Sequence, residues 1–181
     1  MTALSDIEVL ALDIDGVMTD GGLLAMPDGN LLRVYNAKDT FALRMANMLG
    51  LRVVVITGAR GEAVTRRFTS LGVRPEDLFL NSKDKLKILR RFCLENGFSI
   101  DRVAFVGDDL PDLPAIRESG LGVAPADAVE EVRDAADWVT VQSGGKGCVR
   151  AVVQAILESK GQWNFDAGQY ECTYASTDPS F

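Results

Sequence analysis

Histidine is absent from the 181 residues, so no step can use imidazole as base, nucleophile or metal ligand. A Ser-His-Asp triad and a His-ligated zinc are both excluded. Cysteine is scarce: Cys93, Cys148 and Cys172 are scattered and odd in number, and they suggest neither a zinc site nor a disulfide framework. Basic charge is also short, at 19 lysines and arginines against 26 acids, a net charge of −7. A nucleic-acid partner is not expected, because the cationic footprint for a phosphate backbone is missing. No apolar run approaches the ~20 residues needed to span a membrane, and no basic segment leads into an apolar one at the N-terminus. The expected compartment is the cytoplasm. Apolar content of 47% with 25% charged residues is that of a globular chain, long enough for one domain.

Two acids stand out against this background. Val9-Leu10-Ala11-Leu12 runs into Asp13-Ile14-Asp15-Gly16, placing two carboxylates one residue apart at the end of an apolar run. Carboxylates in such a setting repel each other and are costly to bury unless a cation offsets them. Oxygen-only ligands favour Mg²⁺ or Ca²⁺. A second acidic group, Gly107-Asp108-Asp109-Leu110-Pro111-Asp112, also follows an apolar run, and two strand ends converging on one cation is the expected arrangement. Asp112, after a proline, reads first as a helix N-terminal acid.

Strand-like runs at 8–13, 52–56, 102–106, 121–124 and 138–141, with a short one near 78–80, alternate with helical stretches at 39–49, 61–71, 84–95, 112–119, 127–135 and 147–159. Gly50, Gly72, Gly97 and Gly120 sit where left-handed helix caps are expected. Val53-Val54-Val55-Ile56 has no polar alternation and reads as a strand buried on both faces. The pattern predicts an α/β domain over 1–160, a doubly wound parallel sheet flanked by helices. Within it, residues 17–36 hold two apolar runs around Pro27-Asp28-Gly29-Asn30, a projecting β-hairpin whose apolar side chains need either their own domain or another copy of the chain as cover. Residues 161–181 read as a C-terminal tail in which Trp163, Phe165, Tyr170, Tyr174 and Phe181 offer docking groups.

Ligands of an open parallel sheet bind at the carboxyl ends of its strands. That edge collects Asp13, Asp15, Thr57-Gly58, Gly107-Asp108-Asp109 and a segment with Lys83 and Lys85. Carboxylates for a hard cation, a hydroxyl and N–H groups for phosphate oxygens, and an ammonium make a phosphoryl-transfer site in which an aspartate is the nucleophile. A structural calcium site is the alternative that strand-end placement and Lys85 disfavour.

In order and spacing, Asp13-Ile14-Asp15-Gly16-Val17, Thr57-Gly58, Lys85 and Gly107-Asp108-Asp109 resemble the four motifs of the haloacid dehalogenase superfamily of phosphatases. The resemblance implies Asp13 as nucleophile, Asp15 as acid and then base, and Thr57 and Lys85 as holders of the phosphoryl oxygens. It implies Mg²⁺ on Asp13, the Asp15 carbonyl and Asp108, with Asp109 in support and Asp112 nearby. The 42 residues from Asp15 to Thr57 and the 28 from Thr57 to Lys85 leave no room for a cap domain. The chain is similar to the capless 3-deoxy-D-manno-octulosonate 8-phosphate phosphatases in Asp15–Gly21, Tyr35–Asp39, Gly107–Asp112 and Gly144–Arg150. That similarity implies a sugar-phosphate substrate and a homotetramer in which neighbouring subunits cover the site. Gly58, Arg60, Lys38, Gly144, Gly145 and Lys146 are the candidate substrate-binding residues, the glycine-rich turn being either an anion site at a helix start or only a tight turn. Two departures bear on the sugar. Ala59 stands where these enzymes have an arginine and the nonulosonate 9-phosphate enzymes a glutamate, and Asp39-Thr40 replaces a usual Asp-Gly. A nonulosonate 9-phosphate or another small sugar phosphate is therefore the alternative substrate, and a non-catalytic assembly module the alternative role.

Overall fold

Unbroken apolar runs become the strands of a parallel sheet with helices on both faces, in a computed structural model that describes residues 2–165. In chain order the elements are β1 (Val9–Leu12), β2 (Leu24–Ala25), β3 (Leu31–Leu32), α1 (Ala37–Met48), β4 (Arg52–Ile56), α2 (Glu62–Thr69) and β5 (Leu78–Phe79). They continue as α3 (Lys85–Asn96), β6 (Val103–Val106), α4 (Leu113–Glu118), β7 (Leu121–Ala124), α5 (Glu130–Ala135), β8 (Trp138–Val139) and α6 (Cys148–Ser159). Six strands form the main sheet in the order β5-β4-β1-β6-β7-β8, every neighbouring pair parallel. The chain winds outward from β1 in one direction through β4 and β5, and in the other from β6 through β7 and β8. The change of direction between β1 and β6 is where such a sheet opens a crevice.

The strands lack polar alternation because each face has its own core. Leu10, Leu12, Val53, Val55, Ala104 and Val106 pack with Leu43 of α1, Phe68 of α2 and Val152 and Ile156 of α6. Val9, Ala11, Val54, Ile56, Val103 and Phe105 point the other way, onto Leu89 and Phe92 of α3, Ile116 of α4 and Val132 of α5. Leu12 is level with both Val55 and Val106, so the loops after β1, β4 and β6 leave the sheet side by side. This register turns three distant sequence motifs into one site.

Helix starts follow local chemistry. Asn36 caps α1 by accepting the Lys38 N–H at 2.8 Å, which moves the start of that helix to residue 37. Asp84 caps α3 through the Lys87 N–H at 3.0 Å. Gly50, Gly72 and Gly97 adopt positive φ, as helix ends require. Gly120 does not; a Cβ there would meet the Asp101 carbonyl oxygen at 1.7 Å, so close packing explains the glycine and the expected left-handed cap is corrected. Residues 125–128 form a turn before α5, closed by the Ala128 N–H on the Pro125 carbonyl, and 110–112 a 3-10 turn before α4.

β2 and β3 make the expected antiparallel hairpin, with Leu24 opposite Leu32 and Asp28 accepting the Asn30 N–H in the turn. Its apolar groups are uncovered: Leu24 is 63% exposed and Val34 82%, with Leu23, Leu31 and Leu32 also exposed. Among the described residues, nothing of the domain covers these side chains. At the other end, Trp163 and Phe165 pack on Phe41 of α1, and the Arg150 guanidinium lies 4.5 Å from the Trp163 ring centre. Tyr170, Tyr174 and Phe181 lie outside the described residues. No helix among the described residues is long and apolar enough to cross a membrane.

Candidate active site

Where the strand ends meet, a cleft of about 530 Å³ is lined by Asp13, Asp15, Thr57, Gly58, Lys85, Asp108, Asp109 and Asp112, together with Gly16, Gly21, Ser82, Lys83 and Pro111. Asp13 leaves β1 with its N–H on the Val106 carbonyl, and Gly16 turns the loop back at φ +83°. A Cβ on Gly16 would lie 1.9 Å from the Asp108 carboxylate, so only glycine lets the two acidic loops meet.

Lys85 is the hub. Its ammonium, almost fully buried at the start of α3, lies 2.8 Å from Asp13 Oδ2 and 2.6 Å from Asp112 Oδ1. Burial alone would lower its pKa, but the Asp112 and Asp13 charges outweigh burial and hold it above the ordinary lysine value. Asp112, read first as a helix N-terminal acid, does that and more. Its Oδ2 accepts the N–H groups of Asp108 and Asp109, while the Asp109 side chain caps Leu110, so the 107–112 loop is fixed around it. Asp109 itself is exposed and faces the rim.

The Oδ1 atoms of Asp13 and Asp108 are buried and accept no hydrogen bond. Carboxylate oxygens of Asp13, Asp108 and Asp112 lie within 4.8 Å of one another. Burial, followed by the charges of Asp112 and Asp13, pushes Asp108 up to about 7, and burial likewise brings Asp112 to about 6 against the opposing pull of Lys85. Clustered, buried, unpartnered oxygens are what a hard divalent cation requires, and this donor set fits Mg²⁺. Asp13 and Asp108 have oxygens to give it; those of Asp112 are already taken by Lys85 and the loop.

Across the cleft, Thr57 Oγ1 accepts the Ala59 N–H at 3.1 Å, leaving its own hydrogen to donate. The Ser82 N–H on the Thr57 carbonyl and the Asn81 N–H on that of Ala59 tie this loop to residues 81–82. Ala59 points into the core, and Arg60 is exposed and does not line the cleft. Lys38 is exposed on α1, also away from the lining.

The turn at 144–147 has the geometry of the tight-turn reading. Its N–H groups already have acceptors: Gly144 on Asp127 Oδ1, Gly145 on the Val17 carbonyl, Lys146 on the Ser143 carbonyl and Gly147 on Asp39 Oδ2. Lys146 pairs with Asp20. A Cβ on Gly144 would meet the Gly16 carbonyl oxygen at 1.8 Å, so the turn presses on the back of the loop that carries Asp13 and Asp15. Buried Asp39 also accepts the Arg150 N–H, and Asn36 donates to the Gly145 carbonyl. The 35–39 and 144–150 stretches therefore brace each other and the acidic loop.

Sequence reasoning missed Arg33 and Ser82. Arg33 leaves the hairpin and grips Asp15 with two hydrogen bonds, Nε to Oδ1 at 2.6 Å and Nη2 to Oδ2 at 2.8 Å. No spacing rule links these residues; only the closed hairpin does.

A paired nucleophile candidate, a second carboxyl group beside it, a buried ammonium and a cation cradle equip this cleft for phosphoryl transfer. A family model of haloacid dehalogenase-like hydrolases matches residues 37–152. The 3-deoxy-D-manno-octulosonate 8-phosphate phosphatase of Salmonella typhi is 34% identical over 169 residues, 93% of this chain and 89% of that one. The crystal structure of the Moraxella catarrhalis phosphatase of that name, with magnesium ion, phosphate ion and KDO, superposes with a TM-score of 0.84 at 31% identity, covering 88% of this chain and 91% of that one. The cobalt-bound Haemophilus influenzae enzyme gives 0.85 at 31% identity over 92% and 96%. Fold, site and relatives agree: the chain belongs to the haloacid dehalogenase-like hydrolases.

Proposed function

We propose that this protein is a Mg²⁺-dependent phosphatase that hydrolyses 3-deoxy-D-manno-octulosonate 8-phosphate through an aspartyl-phosphate on Asp13. The observation that carries the reading is the Asp13 carboxylate, with one oxygen on Lys85 and the other buried without a donor at the mouth of a cation cradle. Asp13 and Asp108, with the Asp15 carbonyl, would hold Mg²⁺, which supplies charge neutralisation for an incoming phosphate dianion. Asp13 attacks phosphorus, an Asp13 O–P bond forms and the bond to the sugar oxygen breaks. The Asp15 carboxyl gives its proton to that departing oxygen. Asp15, now a carboxylate, takes a proton from water as the water attacks the phosphoenzyme, releasing phosphate and restoring Asp13. Lys85 offsets the charge of the nucleophile and Thr57 and Gly58 donate to phosphoryl oxygens.

The names of the relatives support this sugar acid; Ala59, turned into the core, matches neither the arginine of these enzymes nor the glutamate of the nonulosonate 9-phosphate enzymes, so a nonulosonate 9-phosphate or another small sugar phosphate is the second reading. The enzyme works in the cytoplasm as a homotetramer whose exposed hairpins cover neighbouring clefts. Phosphate release with Mg²⁺ from a panel of sugar phosphates tests the assignment. The octulosonate 8-phosphate should give the highest kcat/KM, and a higher value for a nonulosonate 9-phosphate would overturn the choice of sugar.

A further inference from the structure

We infer that Arg33 is a latch on the acid/base group: it holds Asp15 turned onto the hairpin in the resting site, and proton delivery to the leaving group proceeds only when this pair parts. The inference rests on the phosphatase reading of Asp15. Arg33 is 96% withdrawn from solvent at the side chain, against 72% for Asp15 (relative exposures of 4% and 28%). Nε and Nη2 take both oxygens of the carboxyl group, and Nη1 is used on the Leu31 carbonyl, so the guanidinium is fixed at both ends. The Asp15 hydrogen bond, set against the cost of burial, raises the Arg33 pKa, and the guanidinium stays charged.

A carboxyl group that acts as an acid needs a proton on one oxygen and that oxygen aimed at the leaving group. In this geometry both oxygens face N–H donors, so the arrangement withholds the acid. The anchor of the latch is equally informative. Arg33 follows β3 directly, and Val34 and Leu32 beside it are exposed. Tyr35 then packs edge-on to Phe68 at 5.9 Å, pinning the base of the hairpin to the core. The free part of the hairpin therefore reaches the cleft through Arg33, and a shift of the hairpin moves the group that holds Asp15. Arg33 is a positioning residue that acts through Asp15.

The test compares two esters on one enzyme. An alkyl phosphate needs a proton on its leaving oxygen; p-nitrophenyl phosphate does not. Arg33→Met should raise the ratio of alkyl to aryl kcat roughly fivefold, the scale of a partly exposed ion pair. Arg33→Lys, which keeps the charge but cannot fork, should give an intermediate ratio and decides the matter if the methionine variant does not fold. In an Asp15→Asn background neither change should move the ratio. A ratio that is unchanged, that falls, or that shifts equally without Asp15 overturns the latch. A wild-type enzyme that hydrolyses neither ester contradicts the phosphatase reading itself, and the latch with it.

Discussion

The floor of the cleft and the hairpin beside it are built on opposite terms. On the floor, charged groups are buried and nearly every one has a partner within the chain: Lys85 on Asp13 and Asp112, and Asp112 on two backbone N–H groups. The exceptions are two carboxylate oxygens that converge on a cation cradle. On the hairpin, apolar groups are exposed and have no cover among the described residues. The floor offers oxygen donors that suit a hard cation; the hairpin offers apolar side chains and the Arg33 tie to Asp15. The difference separates the charged groups of the chemistry, which one chain brings together, from the exposed apolar surface that stands beside them.

Breaking the floor should have the larger effect. Lys85→Met leaves Asp13 and Asp112 buried without their cation and should cost about 3–5 kcal/mol of stability at pH 8, read by denaturant unfolding. Because Asp108 and Asp112 are raised in the folded state, to about 7 and 6, the fold favours their neutral forms. Their contribution is fully present below the unfolded value near 4 and is lost as pH rises through 6 to 7. Lys85 opposes both shifts, so the variant should be less destabilised at pH 5 than at pH 8; equal losses would contradict the charge account.

The cradle gives a second, smaller effect. A cation must displace the proton on Asp108, so Mg²⁺ affinity measured by calorimetry should weaken about tenfold per pH unit below 7. A flat profile between pH 5 and 7 would remove Asp108 from the cation site. The hairpin gives the smallest effect on folding. Leu24→Asp with Leu32→Asp should change unfolding free energy by under about 0.5 kcal/mol, since both side chains are exposed, yet convert the proposed tetramer to monomers by sedimentation. An assembly that survives both changes would show that the hairpin is not its contact.

Most of the sheet was legible because its signal is local. Val53–Ile56 and Val103–Val106 are unbroken apolar runs, and both strands are buried on both faces. Asp13, Asp15, Thr57, Lys85 and Asp108 were legible for the same reason: each follows a readable strand or opens a readable helix. What was not legible depends on tertiary closure. The Arg33–Asp15 pair exists only because the hairpin folds back over 18 residues. Gly144 and Gly145 carry a phosphate-loop composition, but their N–H groups are spent on Asp127 and Val17, which composition cannot reveal. Gly120 looked like a cap and is instead a point of contact with the Asp101 carbonyl.

The central claim is that Asp13 takes the phosphoryl group. Rapid acid quenching during turnover of the preferred ester with Mg²⁺, followed by peptide mapping, should find one phosphoryl group on Asp13 in the wild-type enzyme. Asp13→Asn should show neither the adduct nor phosphate release, with its fold intact by circular dichroism. Phosphate release that persists in Asp13→Asn, or a phosphoryl group trapped on another residue, would contradict the account.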